Sequence, residues 1–298
     1  MEKTMIYSWL VLLPLLSTIK VYIQGKLARD KVKSTSDVFL LNGLIFSSLV
    51  IIMVPLFYRE IPPFEILLLC ILRATFSMLF QVFYSLAFKT GPVSLTAIIV
   101  GFHIILPMLS GVVAFGEELT FLSVTGVILI FIAICMIPSK KTSNNKANLK
   151  WLIYTLIAFL LSGINNSITT LFSRSKYASY NDEFIITGYI FAAILCFAVW
   201  FIRRGDNGVL PGHLRSGGKT LAMVVGGAAA IGIVLGAYNI GLIHAAASID
   251  SIILYPIRSV LGIVFNLLID IIFYKQRFTK LQFAGIIIGT VAVVMLNV

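Results

Sequence analysis

Charge is the scarce resource in this chain. Of 298 residues only 12% are Asp, Glu, Lys or Arg, about half the share of a soluble domain. Cysteine is down to three (Cys70, Cys135, Cys196), all inside apolar runs at unrelated spacings. That excludes a disulfide framework or a cysteine metal site and leaves buried thiols. Histidine is as rare: His103, His213 and His244 stand at no metal-binding spacing, and no metal or other cofactor is expected. No polar stretch is long enough to be a soluble domain. No nucleophile, base and orienting group converge, so an enzyme is not expected. "HLRSGGKT" (213–220) ends like a phosphate-binding loop, but its glycine stands one place off and no strand precedes it.

What is abundant is hydrocarbon. Hydrophobic residues make up 59% and the mean hydropathy is +1.01. The spacing predicts ten membrane-spanning helices, near 5–25, 37–58, 64–88, 93–115, 120–138, 150–172, 184–202, 220–243, 249–273 and 281–297. Met5–Gln24 has no small-residue cleavage site, so the first run is read as a retained span rather than a leader. The net charge of +11 does not point to nucleic acid, because the basic residues sit in short loops. Sixteen Lys and Arg follow spans one, three, five, seven and nine, against four on the other side. The positive-inside rule puts the first set in the cytoplasm and both termini outside.

The two halves repeat. "LLSTIKVYIQGKLARDK" from Leu15 matches "LLSGINNSITTLFSRSK" from Leu160. Tyr84 to Ser94 matches Tyr238 to Ser248, and "LTFLSVTGVILIFIAICMI" from Leu119 aligns with "FTKLQFAGIIIGTVAVVML" from Phe278. The second half carries a few extra residues after Pro256. An all-α integral membrane fold follows: repeat 1–138, linker 139–149 and repeat 150–298. Five spans per unit force opposite insertion, hence two inverted five-helix repeats with a site near the midplane between them.

The stretch 84–130, "YSLAFKTGPVSLTAIIVGFHIILPMLSGVVAFGEELTFLSVTGVILI", carries Tyr84, Ala87, Pro107, Gly116-Glu117 and Gly126. With the five-plus-five plan, it resembles the drug/metabolite transporter superfamily, in particular its EamA-type ten-helix bacterial members. The second copy departs, with Lys275-Gln276 where the first has Glu117-Glu118. The resemblance implies a metabolite carrier, more often an exporter, in the inner (plasma) membrane, with termini in the cytoplasm. On the last point it opposes the charge bias, which is followed here.

Polar residues inside the spans fall on single helix faces. Ser251, Tyr255, Arg258, Gly262, Asn266 and Asp270 line one face of span nine; Arg73, Ser77, Gln81 and Tyr84 one face of span three. Ser17, Lys20 and Gln24 do so on span one, Ser162, Asn166 and Thr169 on span six. Span four offers His103, Pro107 and Ser110; span eight offers Gly232, Gly236, Tyr238 and Asn239. A polar stripe backed by lipid-facing residues predicts a central cavity, with spans five and ten outside it. The expected substrate-binding set is Lys20, Arg73, Gln81, Tyr84, His103, Asn166, Tyr238, Asn239, Tyr255 and Arg258. Asp250, Asp270 and His103 are the groups that would take a proton. The bland readings are glycines for close packing, Lys20 reaching the interface, and Arg73 or Arg258 paired with Asp250 or Asp270.

Lys20, Arg73 and Arg258 make the cavity cationic, so the expected ligand is a small metabolite bearing a carboxylate or other anionic group. The alternatives are a multidrug exporter of cationic or amphipathic compounds, and a membrane-embedded enzyme or sensor acting on lipid head groups. The first would need a cavity carboxylate. The expected partners are the small-molecule substrate and the lipid bilayer, in a monomer or weak homodimer.

Overall fold

The structure is a computed structural model. It describes residues 2–116, 120–137, 145–203, 218–248, 251–273, 275 and 278–296, with side chains except at 2–7, 145–148, 243–256 and 270. The described residues are all-helical and contain no strand.

The helices are α1 (Glu2–Asp30), α2 (Thr35–Phe57), α3 (Phe64–Thr90), α4 (Val93–Gly101), α5 (Ile105–Phe115), α6 (Phe121–Met136), α7 (Asn145–Ser173), α8 (Asn181–Arg203), α9 (Gly218–Ser248), α10 (Ser251–Ile272) and α11 (Lys280–Leu296). Local chemistry sets several ends. Ser34 and Asp37 form a capping box that starts α2: Asp37 N donates to Ser34 Oγ at 3.1 Å and Ser34 N donates to Asp37 Oδ2 at 2.9 Å. Thr120 accepts from Ser123 N at the start of α6. Gly116, at φ 66°, ends α5 in the left-handed region that glycine enters without strain.

Span four is not one helix. Between α4 and α5 the residues Phe102–Ile104 tighten into a 3-10 turn. Pro107 has no N–H to donate to the His103 carbonyl, so the α-helical ladder breaks there.

Among the described residues, seven segments are long and apolar enough to cross a membrane: Ser8–Asp30, Thr35–Phe57, Phe64–Thr90, Val93–Phe115, Leu149–Ser173, Ala178–Arg203 and Gly218–Leu242. Phe121–Met136 and Lys280–Leu296 are apolar but shorter, and Ile257–Ile269 is the apolar stretch of α10 whose side chains are described. Seven of the ten expected spans are matched by these long segments, and the other three by apolar helices of 16, 22 and 17 residues. The 16 residues of α6 reach about 24 Å, short of the ~30 Å hydrocarbon core. The outward surface is hydrocarbon: Phe64 and Val113 are each 87% exposed, and Phe121, Ile51 and Ile202 stand out likewise. Such a surface belongs in lipid.

The helices pair in a regular pattern. α3 packs on α7 and α1 on α9; α3 packs on α8 and α2 on α9; α2 packs on α8, and α6 on α11. α4 and α5 lie on α7 while α10 lies on α1, and α4 touches α10. One large core joins α3, α4, α6, α7 and α11 around Phe88, Ile98, Phe102, Trp151 and Phe159. A second joins α1, α2, α3, α8 and α9 around Leu41, Ile45, Ala192, Cys196 and Ile231. On the α6–α11 contact, a Cβ on Gly126 would stand 3.0 Å from Ala292 O, and one on Gly285 would stand 3.3 Å from Ala133 O.

Candidate functional site

A cavity of about 540 Å³ lies where the polar stripes converge. It is lined from α1 by Pro14, Ser17, Lys20 and Val21, from α3 by Arg73, Phe80 and Tyr84, and from α7 by Ser162, Asn165, Asn166 and Thr169. Tyr238, Asn239 and Leu242 come from α9, and Arg258, Ser259, Gly262 and Asn266 from α10. The break between α4 and α5 contributes Gly101, Phe102 and His103. A Cβ on Gly101 would meet nothing within 4 Å, so backbone there faces open space. Broken helices that turn backbone groups towards a cavity recur in membrane carriers.

Arg73 is held in place. Its Nε donates to Thr169 Oγ1 at 3.3 Å and its Nη1 to Ile185 O at 3.1 Å. The guanidinium lies 4.6 Å from the Tyr189 ring centre and 5.7 Å from that of Phe184. It is 3% exposed, and its described partners are neutral oxygens and aromatic faces rather than a carboxylate. Aromatic faces and fixed dipoles hold a guanidinium without cancelling its charge.

Lys20, 8% exposed, stands with Nζ 4.9 Å over the Tyr84 ring. No hydrogen-bond acceptor contacts its ammonium among the described residues. This corrects the bland expectation that Lys20 reaches out to the interface. Tyr84 is fixed between Phe80 (5.2 Å, stacked) and Phe88 (4.1 Å, tilted).

Arg258 Nη1 donates to the Tyr238 hydroxyl at 2.7 Å, which ties α10 to α9 at the cavity wall. His103 Nδ1 donates to Val100 O at 2.7 Å, leaving Nε2 as the imidazole's acceptor atom in the neutral ring. Asn166 Nδ2 donates to Ser162 O at 2.8 Å.

Of the ten expected substrate residues, Lys20, Arg73, Tyr84, His103, Asn166, Tyr238, Asn239 and Arg258 line this cavity. Gln81 does not: it accepts from Gln24 Nε2 at 2.9 Å, in a buried cluster with Ser85 and Asn42. The Tyr255 and Asp270 side chains and all of Asp250 lie outside the described residues, as do Glu117, Glu118 and His213 and the His244 side chain. Asn165 lines the cavity unforeseen, accepting from Ser77 Oγ at 2.8 Å. Its four-residue step to Thr169 was the signal that could have found it. Ile185 and Tyr189 of α8 reach the cavity without any stripe to announce them. The expectation that span ten stays outside is corrected in one respect: Val293 of α11 touches the cavity, while α6 contributes nothing.

The turn between α3 and α4 is tightly packed. There Arg29 Nε donates to Phe88 O at 3.1 Å and Nη2 donates to Gly91 O, so the turn between α3 and α4 is clamped to α1. The Trp151 indole lies flat against Gly91, where a Cβ would stand 2.3 Å from Trp151 Cδ1, and its Nε1 donates to Thr96 Oγ1 at 2.7 Å. Ser94 Oγ donates to Asn266 O at 2.6 Å. Ser85, Phe88, Ser94 and Thr96 are 0% exposed.

The polar cavity is ringed by helices whose outward faces are apolar, as a protein embedded in lipid requires. The family model of the EamA-like transporter family matches residues 5–138, a match consistent with the drug/metabolite transporter superfamily. No curated protein matches the chain. A crystal structure described only as that of a "protein" is similar across 96% of both chains, with a TM-score of 0.56 and 15% sequence identity. At that identity the likeness is one of fold.

Proposed function

We propose that this chain is a secondary transporter that moves a small anionic metabolite, bearing a carboxylate or another anionic group, by alternating access between two inverted five-helix units. The observation that carries the reading is the charge of the cavity: Lys20, Arg73 and Arg258 reach it from three helices, and no described lining residue is an Asp or Glu. Lys20 and Arg73 are buried, and buried positive charge attracts anions. The same fact disfavours an exporter of cations, which would need a cavity carboxylate.

The alternating-access part rests on symmetry. With α4 and α5 counted as one span, the most extensive pairings have counterparts under exchange of the halves: span three on six and one on eight, three on seven and two on eight, four on six and nine on one. The register supports it too. In the alignment of Leu119 with Phe278, Gly126 matches Gly285 and Ala133 matches Ala292, so the two glycine–carbonyl contacts are equivalents. A bundle whose halves are related by a two-fold can exchange their conformations, exposing the site to one side and then the other. The short α6 and α11 are accommodated by local thinning of the bilayer.

On this reading the chain is a carrier and not an enzyme, sits in the inner (plasma) membrane and exports rather than imports, with Asp250, Asp270 and His103 as the groups for proton coupling. Counterflow in proteoliposomes tests it, with amino acids, organic acids, sugar phosphates and nucleosides as separate panels. Uptake of anions only supports it, and uptake of organic cations alone sinks it. Labelling of single cysteines at Lys3, Asn145 and Val298 checks the topology: the termini should react from one side and Asn145 from the other.

A further inference from the structure

Two buried cations face this cavity without a described counter-ion, and they are built differently. Arg73 is rigid, fixed by Thr169, the Ile185 carbonyl and the Tyr189 ring. Lys20 is a bare ammonium on a flexible stem, resting on Tyr84. Neither is paired with a carboxylate among the described residues, although each is more than nine-tenths buried. In a low-dielectric setting an unpaired charge is costly, and neutralising one of two leaves the other uncompensated. A ligand with a single negative charge therefore leaves part of the available attraction unused.

We infer that the substrate is dianionic, carrying two acidic groups or one phosphate monoester, with Arg73 as the fixed anchor and Lys20 as the adaptable second contact. The inference rests on the anionic-metabolite reading above and narrows it. A planar guanidinium takes a carboxylate or phosphate in a two-point grip, whereas an ammonium acts as a point charge that tolerates varied geometry. The pair thus sets charge by number and leaves the shape between the charges to the rest of the cavity. Nothing here favours an α-amino acid, because no described lining carboxylate would receive its ammonium.

The test uses the purified full chain and three probes of one carbon frame: ethane-1,2-disulfonate, ethanesulfonate and taurine, with net charges of about −2, −1 and 0 set by strong acid and amine chemistry. Binding is read by calorimetry and thermal stabilisation. The expected result is that the disulfonate binds about tenfold or more tightly than ethanesulfonate, a difference of about 1.4 kcal/mol. Lys20→Gln should bring the disulfonate down to the monosulfonate's affinity, and Lys20→Arg should restore most of the margin. Arg73→Gln should cut binding of both, and the Lys20 series carries the test if that variant does not fold. Counterflow of succinate against glycerol 3-phosphate then decides between dicarboxylate and phosphate monoester. Equal or tighter binding of ethanesulfonate overturns the dianion and leaves the anionic reading standing. Preference for taurine, or binding of none of the anions, overturns both.

Discussion

A Cβ placed on Gly188 would stand 2.6 Å from Arg73 Nη1. The helix α8 therefore leaves out a side chain where the guanidinium of α3 needs room, and two helices share one positioned cation. Because the obstructed atom is the far end of a long side chain, Gly188→Ala should be absorbed by displacing the guanidinium rather than by parting the helices. The expected outcome is a melting temperature within a few degrees of wild type. Half-saturation for counterflow should rise about tenfold, equivalent to 1.4 kcal/mol. Unchanged half-saturation would show that Arg73 does not touch the transported ion.

Arg258 and Tyr238 should behave as a unit. Arg258→Gln is expected to express and stay monodisperse while transport collapses, with Arg258→Lys intermediate because it keeps charge without the planar fork. Tyr238→Phe removes the acceptor of the 2.7 Å bond and should weaken transport less than Arg258→Gln does. Breaking a buried ion pair would instead destabilise by about 3–5 kcal/mol. Aggregation of Arg258→Gln together with Asp250→Asn or Asp270→Asn would therefore assign Arg258 to holding the bundle. Size-exclusion profiles and counterflow separate the outcomes.

The α6–α11 contact should matter for stability and not for selectivity. A side chain at Gly126 would meet the Ala292 carbonyl, and one at Gly285 the Met136 Cβ at 2.9 Å and the Ala133 carbonyl. Backbone cannot swing aside as a side chain can. Gly126→Val or Gly285→Val should each cost about 1–3 kcal/mol, read as a lower melting temperature in detergent. Transport preference among anions should be unchanged in the folded fraction, because α6 contributes nothing to the cavity.

The packed α3–α4 turn offers a conformational test. Gly91→Ala forces the Trp151 indole off the turn and costs its bond to Thr96. In a background without Cys70, Cys135 and Cys196, a cysteine at the fully buried Ser85 should resist thiol reagents. Adding Gly91→Ala should speed its labelling by about tenfold, the effect of about 1.4 kcal/mol on opening. Equal labelling in both backgrounds would mean that Trp151 does not shield this turn.

Much of the architecture was legible in the chain because lipid makes the pattern simple. A helix that must hide its backbone from hydrocarbon needs a long apolar run, and the few polar residues it keeps must turn inward. Lys20, Arg73, Tyr84 and Arg258 declared themselves in this way. So did the matched segments of the two halves, whose Gly126 and Gly285 meet equivalent carbonyls.

Tertiary structure decided the rest. A stripe tells which face looks inward, not what it meets, so Gln81, on the same stripe as Arg73, ended against Gln24 instead of the cavity. Asn165 and Tyr189 became lining residues because neighbouring helices left space in front of them. Pro107 announced a disturbed helix, but its position opposite α7 and α10 turned that break into a wall of the site. Whether a buried cation is paired or bare depends on which helices pack around it. That is a property of contacts between segments far apart in the chain, which periodicity within one segment does not encode.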